Sequence, residues 1–316
     1  MPEAAKNAQP TINAKLFQEP LAKLGETIAH KIEREGRQYL GAPAFVAEDI
    51  NLLIRHALST YHLLFYLNAD ERRKNDCYWK VIDGVAAMPL VRSLIDCLYN
   101  VTAILQNCAV QGPAYRKSGI KRTLIDLDED HRKYRGQPEW EEYIEERRNA
   151  VQLLIRMSGF TEDEVMGQEM WPTLGRYISS KGAGGILTEH QEFLKNFTHL
   201  QWRQYSALSH GAFEGFMGFL GPLPVGAYYA SDSFPHEYRP RIEASYDILV
   251  SAHLGRAATV LLCLITELQA HCRFEGANIN ERIHNIWKTL LPLFEANELY
   301  EERYAKLMEE RGISPL

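Results

Sequence analysis

The residues best suited to chemistry lie in segment 188–219, which the pattern of apolar residues predicts to be a helix. Four polar residues of this helix fall within roughly 60° of one another at about 100° per residue. They are His199, Arg203, Ser206 and His210. A histidine can take or give a proton near neutral pH, and an arginine can hold a phosphate through two hydrogen bonds. Together they suit cleavage of a phosphodiester without a metal.

The same face is also consistent with an ordinary solvated helix surface, because apolar residues gather on the opposite side of the helix. Trp202 and Phe213 nevertheless flank the polar residues, and Met217 lies beneath them. This makes the face more apolar than a typical solvated surface. A functional site and a solvated face therefore both remain open interpretations of the segment.

A second polar strip follows the helix predicted over 78–107, where Arg92, Asp96 and Asn100 are spaced at i, i+4 and i+8. Asp96 can orient a histidine, or it can pair with Arg92 as neighbours on a helix surface do. The simple pair is the favoured interpretation. Pro89 lies inside the same pattern and predicts a kink or break in the helix.

A third strip lies on the helix predicted over 46–67 and consists of Arg55, Ser59, His62 and Tyr66. Its arginine and histidine have the same separation along the chain as those of the first strip. Since one separation occurs on two helices, it does not by itself identify a site.

A histidine of a different kind, His253, falls in the apolar arc of the helix predicted over 242–272. Burial is expected there, and a buried imidazole needs a hydrogen-bond partner. A core histidine with such a partner is the favoured interpretation, and a site residue is the alternative. Glu267, at the edge of the same arc, is predicted to form an ion pair at the rim of the core.

The motifs of the commoner hydrolytic and metal sites do not occur in the sequence. There is no HExxH, no paired ExxH and no GxSxG, which excludes the usual zinc, di-iron and α/β-hydrolase arrangements. The sequence therefore indicates no metal and identifies no cofactor.

Two segments resemble those of uncharacterised helical bacterial families. They read PLVRSLID over Pro89–Asp96 and WRQYSALSHG over Trp202–Gly211. In those families an Arg-Ser-Leu-(Leu/Ile)-(Glu/Asp) turn on one helix accompanies a Tyr-Arg-x-x-Ser-x-x-x-His segment on a later one. Here Trp202 occupies the aromatic position before the arginine. The two segments cover less than about a tenth of the chain.

The order Arg203-x6-His210 is also similar to the arginine-to-histidine pattern of the HEPN superfamily. Members of that superfamily are helical bundles and include metal-independent ribonucleases of toxin and phage-defence systems. The resemblance implies that Arg203 binds the scissile phosphate and that His210 is the acid or base. The supporting candidates are Arg92, Asp96, Ser206 and His253.

The periodicity of the whole chain predicts an all-α fold, a multi-helix bundle without strands. The core helices are predicted over 46–67, 78–107, 188–219 and 242–272, with 112–187 packed on as a peripheral, charged helical insertion. A charged amphipathic helix is predicted over 15–37. We expect one helical domain over 15–316, preceded by a flexible leader over 1–14. Helix starts with capping boxes are predicted at Thr161, Thr188 and Asn278.

Composition limits the choice of partner and location. The chain has 316 residues and a formal charge of −6, which argues against non-specific coating of nucleic acid but allows RNA at a local site. The longest apolar stretch, 257–265, is too short to span a bilayer, and no signal peptide is apparent. The sequence thus predicts a cytoplasmic protein without a membrane partner, and self-association into a homo-oligomer is compatible with it.

Two functions from different classes follow. The first is a HEPN-like, metal-independent ribonuclease of toxin or defence type. The alternative is a non-enzymatic helical module that binds a small ligand in a pocket under the 112–187 insertion, or that binds a protein partner. The sequence leaves open whether the chain is an enzyme.

Overall fold

The computed structural model describes a defined part of the chain, and these residues form helices and no strand. The described ranges are 16–69, 77–180, 186–199, 239–276 and 278–310, with side chains for all except 67–69, 77–86 and 239–251. The all-α multi-helix bundle predicted from the sequence is confirmed. The predicted leader over 1–14 lies outside the described residues.

The described helices are numbered here in chain order. The first group consists of α1 (Gln18–Leu40), α2 (Ala44–Ala69), α3 (Cys77–Leu105), α4 (Cys108–Lys133), α5 (Pro138–Met157) and α6 (Glu162–Gly167). The second consists of α7 (Leu174–Ser179), α8 (Glu189–Phe197), α9 (Arg239–Cys272), α10 (Ile279–Leu290), α11 (Phe294–Leu299), a π-helical turn (Tyr300–Tyr304) and α12 (Ala305–Glu310).

The main core is formed where α1, α2, α3 and α9 pack on one another. The charged amphipathic helix predicted over 15–37 is confirmed as α1, and it buries Leu21, Leu24, Ile28 and Ile32 on one face. This three-and-four spacing places one apolar side chain per turn against the bundle. Thus α1 contributes to the main core rather than lying outside it.

The sequence predicts a kink or a break at Pro89, and the structure excludes the break, because α3 is continuous through this residue. A proline inside a helix removes one hydrogen bond, and the packing of α3 against α2 and α9 holds the helix together at that point. The stretch Ala87–Leu105 is long and apolar enough to cross a bilayer by length and composition, but 67% of it is buried inside the bundle. Core helices of soluble proteins have the same property.

A second, smaller hydrophobic cluster lies within the segment predicted as a charged insertion. Helices α4, α5 and α6 enclose it, and α4 also contacts α2 and α3. The buried side chains of this cluster are Ile120, Leu124, Leu127, Ile144, Val151, Ile155 and Val165. Phe160 packs against both this cluster and the main core. The two clusters therefore meet along α4.

Two of the three predicted capping boxes are present. The Thr161 side chain accepts a hydrogen bond from Glu164 N at 3.2 Å, and the Glu164 side chain accepts one from Thr161 N at 2.8 Å. Thr188 and Gln191 form the same reciprocal pair. The third prediction is wrong, because Asn278 has a left-handed backbone with φ 49° and its side chain caps no N–H. That conformation turns the side chain away from the first helical turn.

The contact between α2 and α4 leaves no room for a side chain at Gly112. A Cβ atom there would lie 2.5 and 2.6 Å from the two γ-methyl groups of Val46. Because a β-branched side chain in a helix has little rotamer freedom, we expect Gly112→Ala to lower the free energy of unfolding by about 1–3 kcal/mol. Gly119→Ala on the same helix is the control, since open space surrounds that position. Urea unfolding should show Gly119→Ala to be stabilising by about 0.5–1 kcal/mol.

Candidate functional site

On the polar strip of α3, Arg92 and Asp96 form an ion pair. Arg92 Nε donates to both carboxylate oxygens of Asp96, at 3.2 and 3.0 Å. One turn further on, Asn100 Oδ1 accepts a hydrogen bond from Trp171 Nε1 at 2.9 Å. The strip is therefore partly engaged by other protein groups, and the simple Arg92–Asp96 pair favoured by the sequence is present.

A histidine that the sequence analysis did not single out borders this strip. His56 Nε2 on α2 lies 2.9 Å from Ser93 Oγ, within hydrogen-bond distance, and the histidine is exposed. Ser93 is the neighbour of Arg92, so the polar face of α3 extends toward α2. No local spacing could have linked the two residues, since they are separated by 37 positions.

The strip on α2 is a surface feature that binds α1. Arg55 donates to Glu33 at 2.7 Å, and His62 lies 3.9 Å from Glu26. All four side chains are largely exposed. Arg55 and His62 have the same separation along the chain as Arg203 and His210. On α2 these two residues form exposed pairs with α1, which contribute little to stability.

The two residues predicted to be catalytic, Arg203 and His210, lie outside the described residues, as does Ser206. The predicted support of Arg203 and His210 by Arg92 and Asp96 therefore stays a prediction. His199 is the last described residue of that segment, and it is exposed.

His253 is a core residue, with only 3% of its surface exposed. Burial, reinforced by the nearby positive charge of Arg256, lowers the pKa of His253 to about 3. The imidazole is therefore neutral at physiological pH. Arg256 itself is held by Glu295, to which its guanidinium donates at 2.7 and 2.5 Å.

The predicted ion pair of Glu267 is confirmed. Arg303, on the π-helical turn, donates to both of its carboxylate oxygens, at 2.6 and 3.0 Å. The guanidinium also lies 4.6 Å from the centre of the Phe193 ring. Glu267 is nearly buried, so this pair fixes the C-terminal segment against α9.

A groove with a mainly apolar lining lies between the two hydrophobic clusters and is here named the Trp171 groove. It has a volume of about 480 Å³ and lies between α2, α4, α5 and the segment before α7. Its apolar walls are formed by Leu52, Ile120, Val151, Leu154, Met170 and Trp171. Three of these, Leu52, Leu154 and Met170, are 64%, 39% and 38% exposed. Large apolar side chains from three elements thus surround an open mouth.

One buried ion pair lines the groove. Arg116 Nε and Nη2 donate to the two oxygens of Asp49 at 2.9 and 2.7 Å, and the two side chains are only 10% and 13% exposed. The guanidinium also donates to Ser158 Oγ and to the Phe45 carbonyl. Burial raises the pKa of Asp49 above its ordinary value although Arg116 opposes the shift. A carboxyl group with a perturbed pKa in a cleft is typical of a binding site.

The wall carrying Trp171 is held rigidly. Its backbone N–H donates to Ser118 Oγ at 2.6 Å, and its ring Nε1 donates to Asn100 on α3. The Tyr115 ring contacts the indole edge to face, with centroids 5.2 Å apart. Nearby, Lys121 Nζ donates to the Gln168 carbonyl at 2.8 Å. The groove is therefore largely preformed by hydrogen bonds that join α3, α4 and the segment before α7.

Sequence reasoning placed a ligand pocket under the 112–187 segment but did not find these residues. Arg116 and Asp49 are 67 positions apart, so no helical spacing connects them. The available signal was the adjacent pair Met170 and Trp171, two large apolar residues in a segment that the pattern marks as polar surface.

Comparison of the chain with protein-family models, with curated proteins and with solved structures finds no match in any of the three. Among the described residues, no group of three or more His, Cys, Asp or Glu side chains is placed to hold a metal ion.

Proposed function

We propose that the chain is a non-enzymatic helical module that binds a small, mostly apolar molecule in the Trp171 groove. The observation that carries this proposal is a preformed cavity of about 480 Å³ with apolar walls and one buried ion pair. Small-molecule sites have this size and this mixture of apolar lining with few polar groups. The groove also contains the carboxyl group of Asp49, whose pKa burial raises.

The polar contacts of the groove favour a ligand that donates a hydrogen bond. Arg116 already donates to Asp49, Ser158 and the Phe45 carbonyl, so it has little capacity left for an anion. The Asp49 oxygens each accept one hydrogen bond from Arg116 and have further lone pairs. A neutral apolar molecule with a hydroxyl group thus fits the groove better than an acid does.

A bulky side chain at Gly119 tests this proposal. Gly119 lines the groove, and a Cβ atom there meets no other atom within 4 Å. We expect the wild-type chain to bind 2-naphthol more tightly than 2-methoxynaphthalene, which lacks the donor, in isothermal titration calorimetry. Gly119→Trp should weaken 2-naphthol binding by about tenfold or more, or roughly 1.4 kcal/mol.

The matched control is Glu145→Trp, which adds the same side chain to an exposed position of α5 outside the groove lining. That variant should bind 2-naphthol as the wild type does. Unchanged binding by Gly119→Trp, with its thermal stability intact, would eliminate the groove as the site.

The second candidate function is a cytoplasmic, HEPN-like ribonuclease of toxin or defence type, with RNA as substrate. It is supported by the two resembling segments, 89–96 and 202–211, and by the Arg92–Asp96 pair on the partly exposed face of α3. In this proposal Arg203 binds the scissile phosphate, and His210 transfers the proton.

Substitution of His210 tests the ribonuclease proposal. Purified protein should cleave RNA in the presence of a metal chelator, and His210→Ala should abolish cleavage without unfolding the protein. His62→Ala is the control, because it removes the exposed histidine of the equivalent arginine-to-histidine spacing on α2. If His210→Ala cleaves RNA as fast as the wild type, the proposal fails.

A further inference from the structure

Helix α5 has apolar side chains on two roughly opposite faces. The inner face packs on α4 and contributes three of the buried residues of the second hydrophobic cluster. The outer face carries Tyr143, Ala150, Leu153 and Met157, which lie within about 80° of one another at about 100° per residue. Tyr143, Leu153 and Met157 are 46%, 51% and 77% exposed, and Ala150 is exposed as well. We name these four residues the α5 stripe.

The spacing of the α5 stripe is that of a helix which packs along another helix. Its residues follow one another at i, i+7, i+10 and i+14, the positions through which paired helices interdigitate. They extend over about 21 Å at about 1.5 Å per residue. A continuous exposed apolar stripe is typical of an interaction surface and not of a solvated face. None of its residues lines the Trp171 groove, so the stripe and the groove are separate surfaces.

Charged side chains along one edge of the α5 stripe indicate which partner it fits. Glu142, Glu145 and Glu146 border its N-terminal half, and Arg156 borders its C-terminal half on the same edge. All four are exposed, and within the described part of the chain none of them forms an ion pair or a side-chain hydrogen bond. Glu142 and Glu146 are also like charges at i and i+4, which destabilise a helix. A partner that places a cation beside the glutamates and an anion beside Arg156 is therefore favoured.

We propose that the α5 stripe binds the α5 stripe of a second copy of this chain, with the two helices antiparallel. A two-fold axis at Ala150, in the middle of the stripe, brings the same edge of both helices together. Arg156 lies six residues after Ala150, and the three glutamates lie four to eight residues before it. Each Arg156 is therefore level, within about 3 Å along the helix, with the glutamates of the other copy. Across the same axis Tyr143 meets Met157 of the other copy.

Charge favours this arrangement over its alternatives. A parallel pair of α5 helices would place each glutamate beside the same glutamate of the other copy, and Arg156 beside Arg156, so like charges would meet. In the antiparallel pair, the acidic and basic halves of one edge complement each other twice. A different protein would need a matching apolar stripe with the reverse order of charges, whereas a second copy supplies both.

Sedimentation equilibrium of the full chain tests the proposal. A single helix face gives an interface at the small end of the range for transient complexes, so we expect a dimer with a dissociation constant in the micromolar range. Arg156→Glu brings like charges together at both ends and should raise this constant about tenfold or more. The matched control is Arg37→Glu, because Arg37 is an exposed arginine in the last turn of α1, as Arg156 is in α5. That variant should dimerise as the wild type does.

A charge exchange separates a specific interface from general repulsion. The triple variant Arg156→Glu, Glu142→Arg, Glu145→Arg restores opposite charges across the axis and should recover dimerisation. All three positions are exposed, so the variant should fold normally. The proposal is overturned if the wild-type chain stays monomeric throughout the micromolar range, if Arg156→Glu dimerises like the wild type, or if the triple variant dimerises no better than Arg156→Glu.

A cysteine at the axis tests the direction of the helices. Two Ala150→Cys side chains face each other in the antiparallel pair and should form a disulfide between two chains on oxidation with copper phenanthroline, above the background of the wild type. The matched control is Met157→Cys, since the two copies of residue 157 lie about 21 Å apart along the helices in this arrangement. Equal crosslinking of the two variants would contradict the antiparallel pair. These variants leave the lining of the Trp171 groove unchanged, so the results do not bear on its ligand.

Discussion

Arg303→Met is expected to lower the free energy of unfolding by about 3–5 kcal/mol, because it leaves the carboxylate of Glu267 buried without its counter-charge. Both oxygens of Glu267 accept hydrogen bonds from Arg303, and the carboxylate is nearly inaccessible to solvent. Burial acts to lower the pKa of Arg303, but the hydrogen bonds and charge of Glu267 outweigh it and raise the pKa. Methionine keeps most of the side-chain volume, so the loss reports mainly on the charge.

Urea unfolding of three variants isolates this effect. Arg148→Met removes an exposed pair with Asp128 of similar length, 2.6 Å, and should cost at most about 1 kcal/mol. The double variant Arg303→Met, Glu267→Leu should recover much of the lost stability, since no charge remains buried. If Arg303→Met costs no more than Arg148→Met, the pair is not a buried ion pair in solution.

Acidification is expected to destabilise the fold through its buried histidines. Burial, with a smaller contribution from Arg303, lowers the pKa of His190 from 6.5 to about 4, and the pKa of His253 is lowered to about 3. The unfolded chain therefore binds these protons first as the pH falls. The stability that the neutral histidines contribute is complete above about pH 6.5 and is lost toward pH 4. For His190 alone, the loss by pH 4 is about 3 kcal/mol.

Replacement of His190 by glutamine separates this effect from the titration of carboxylates. Urea unfolding at pH 7.5 and at pH 4 should show a smaller loss of stability in His190→Gln than in the wild type, by about 3 kcal/mol. His30→Gln is the control, since His30 is exposed on α1. If wild type and His190→Gln lose equal stability between the two pH values, His190 is not buried as a neutral imidazole.

The helices and their faces could be predicted from the sequence because their signals are local. The charged amphipathic pattern over 15–37 predicts α1, and the capping residues Thr161 and Thr188 predict two helix starts. These signals act within a few residues along the chain. Tertiary packing could still override them, as the continuous helix through Pro89 illustrates.

The candidate sites could not be predicted because their contacts are distant in sequence. Arg116 meets Asp49 across 67 positions, and Trp171 meets Asn100 across 71. A periodic sequence pattern does not predict contacts between residues so far apart along the chain. The place of Glu267 at the edge of an apolar arc predicts that it forms an ion pair. The sequence does not identify Arg303 as its partner. The wrong prediction at Asn278 has another cause: its backbone is left-handed, a conformation that asparagine adopts more readily than most residues and that differs from the extended backbone of an N-cap.

The order of charges along α9 determines how the C-terminal segment aligns with it. Arg256 and Glu267 are 11 positions apart, a rise of about 16 Å along the helix, and they meet Glu295 and Arg303. Docking the segment in the reverse direction would bring Arg256 to Arg303 and Glu267 to Glu295, and each would be a partly buried contact between like charges. We infer that the two ion pairs determine the direction and register in which the C-terminal segment packs on α9. In an all-apolar contact, only the shapes of the side chains would select that direction and register.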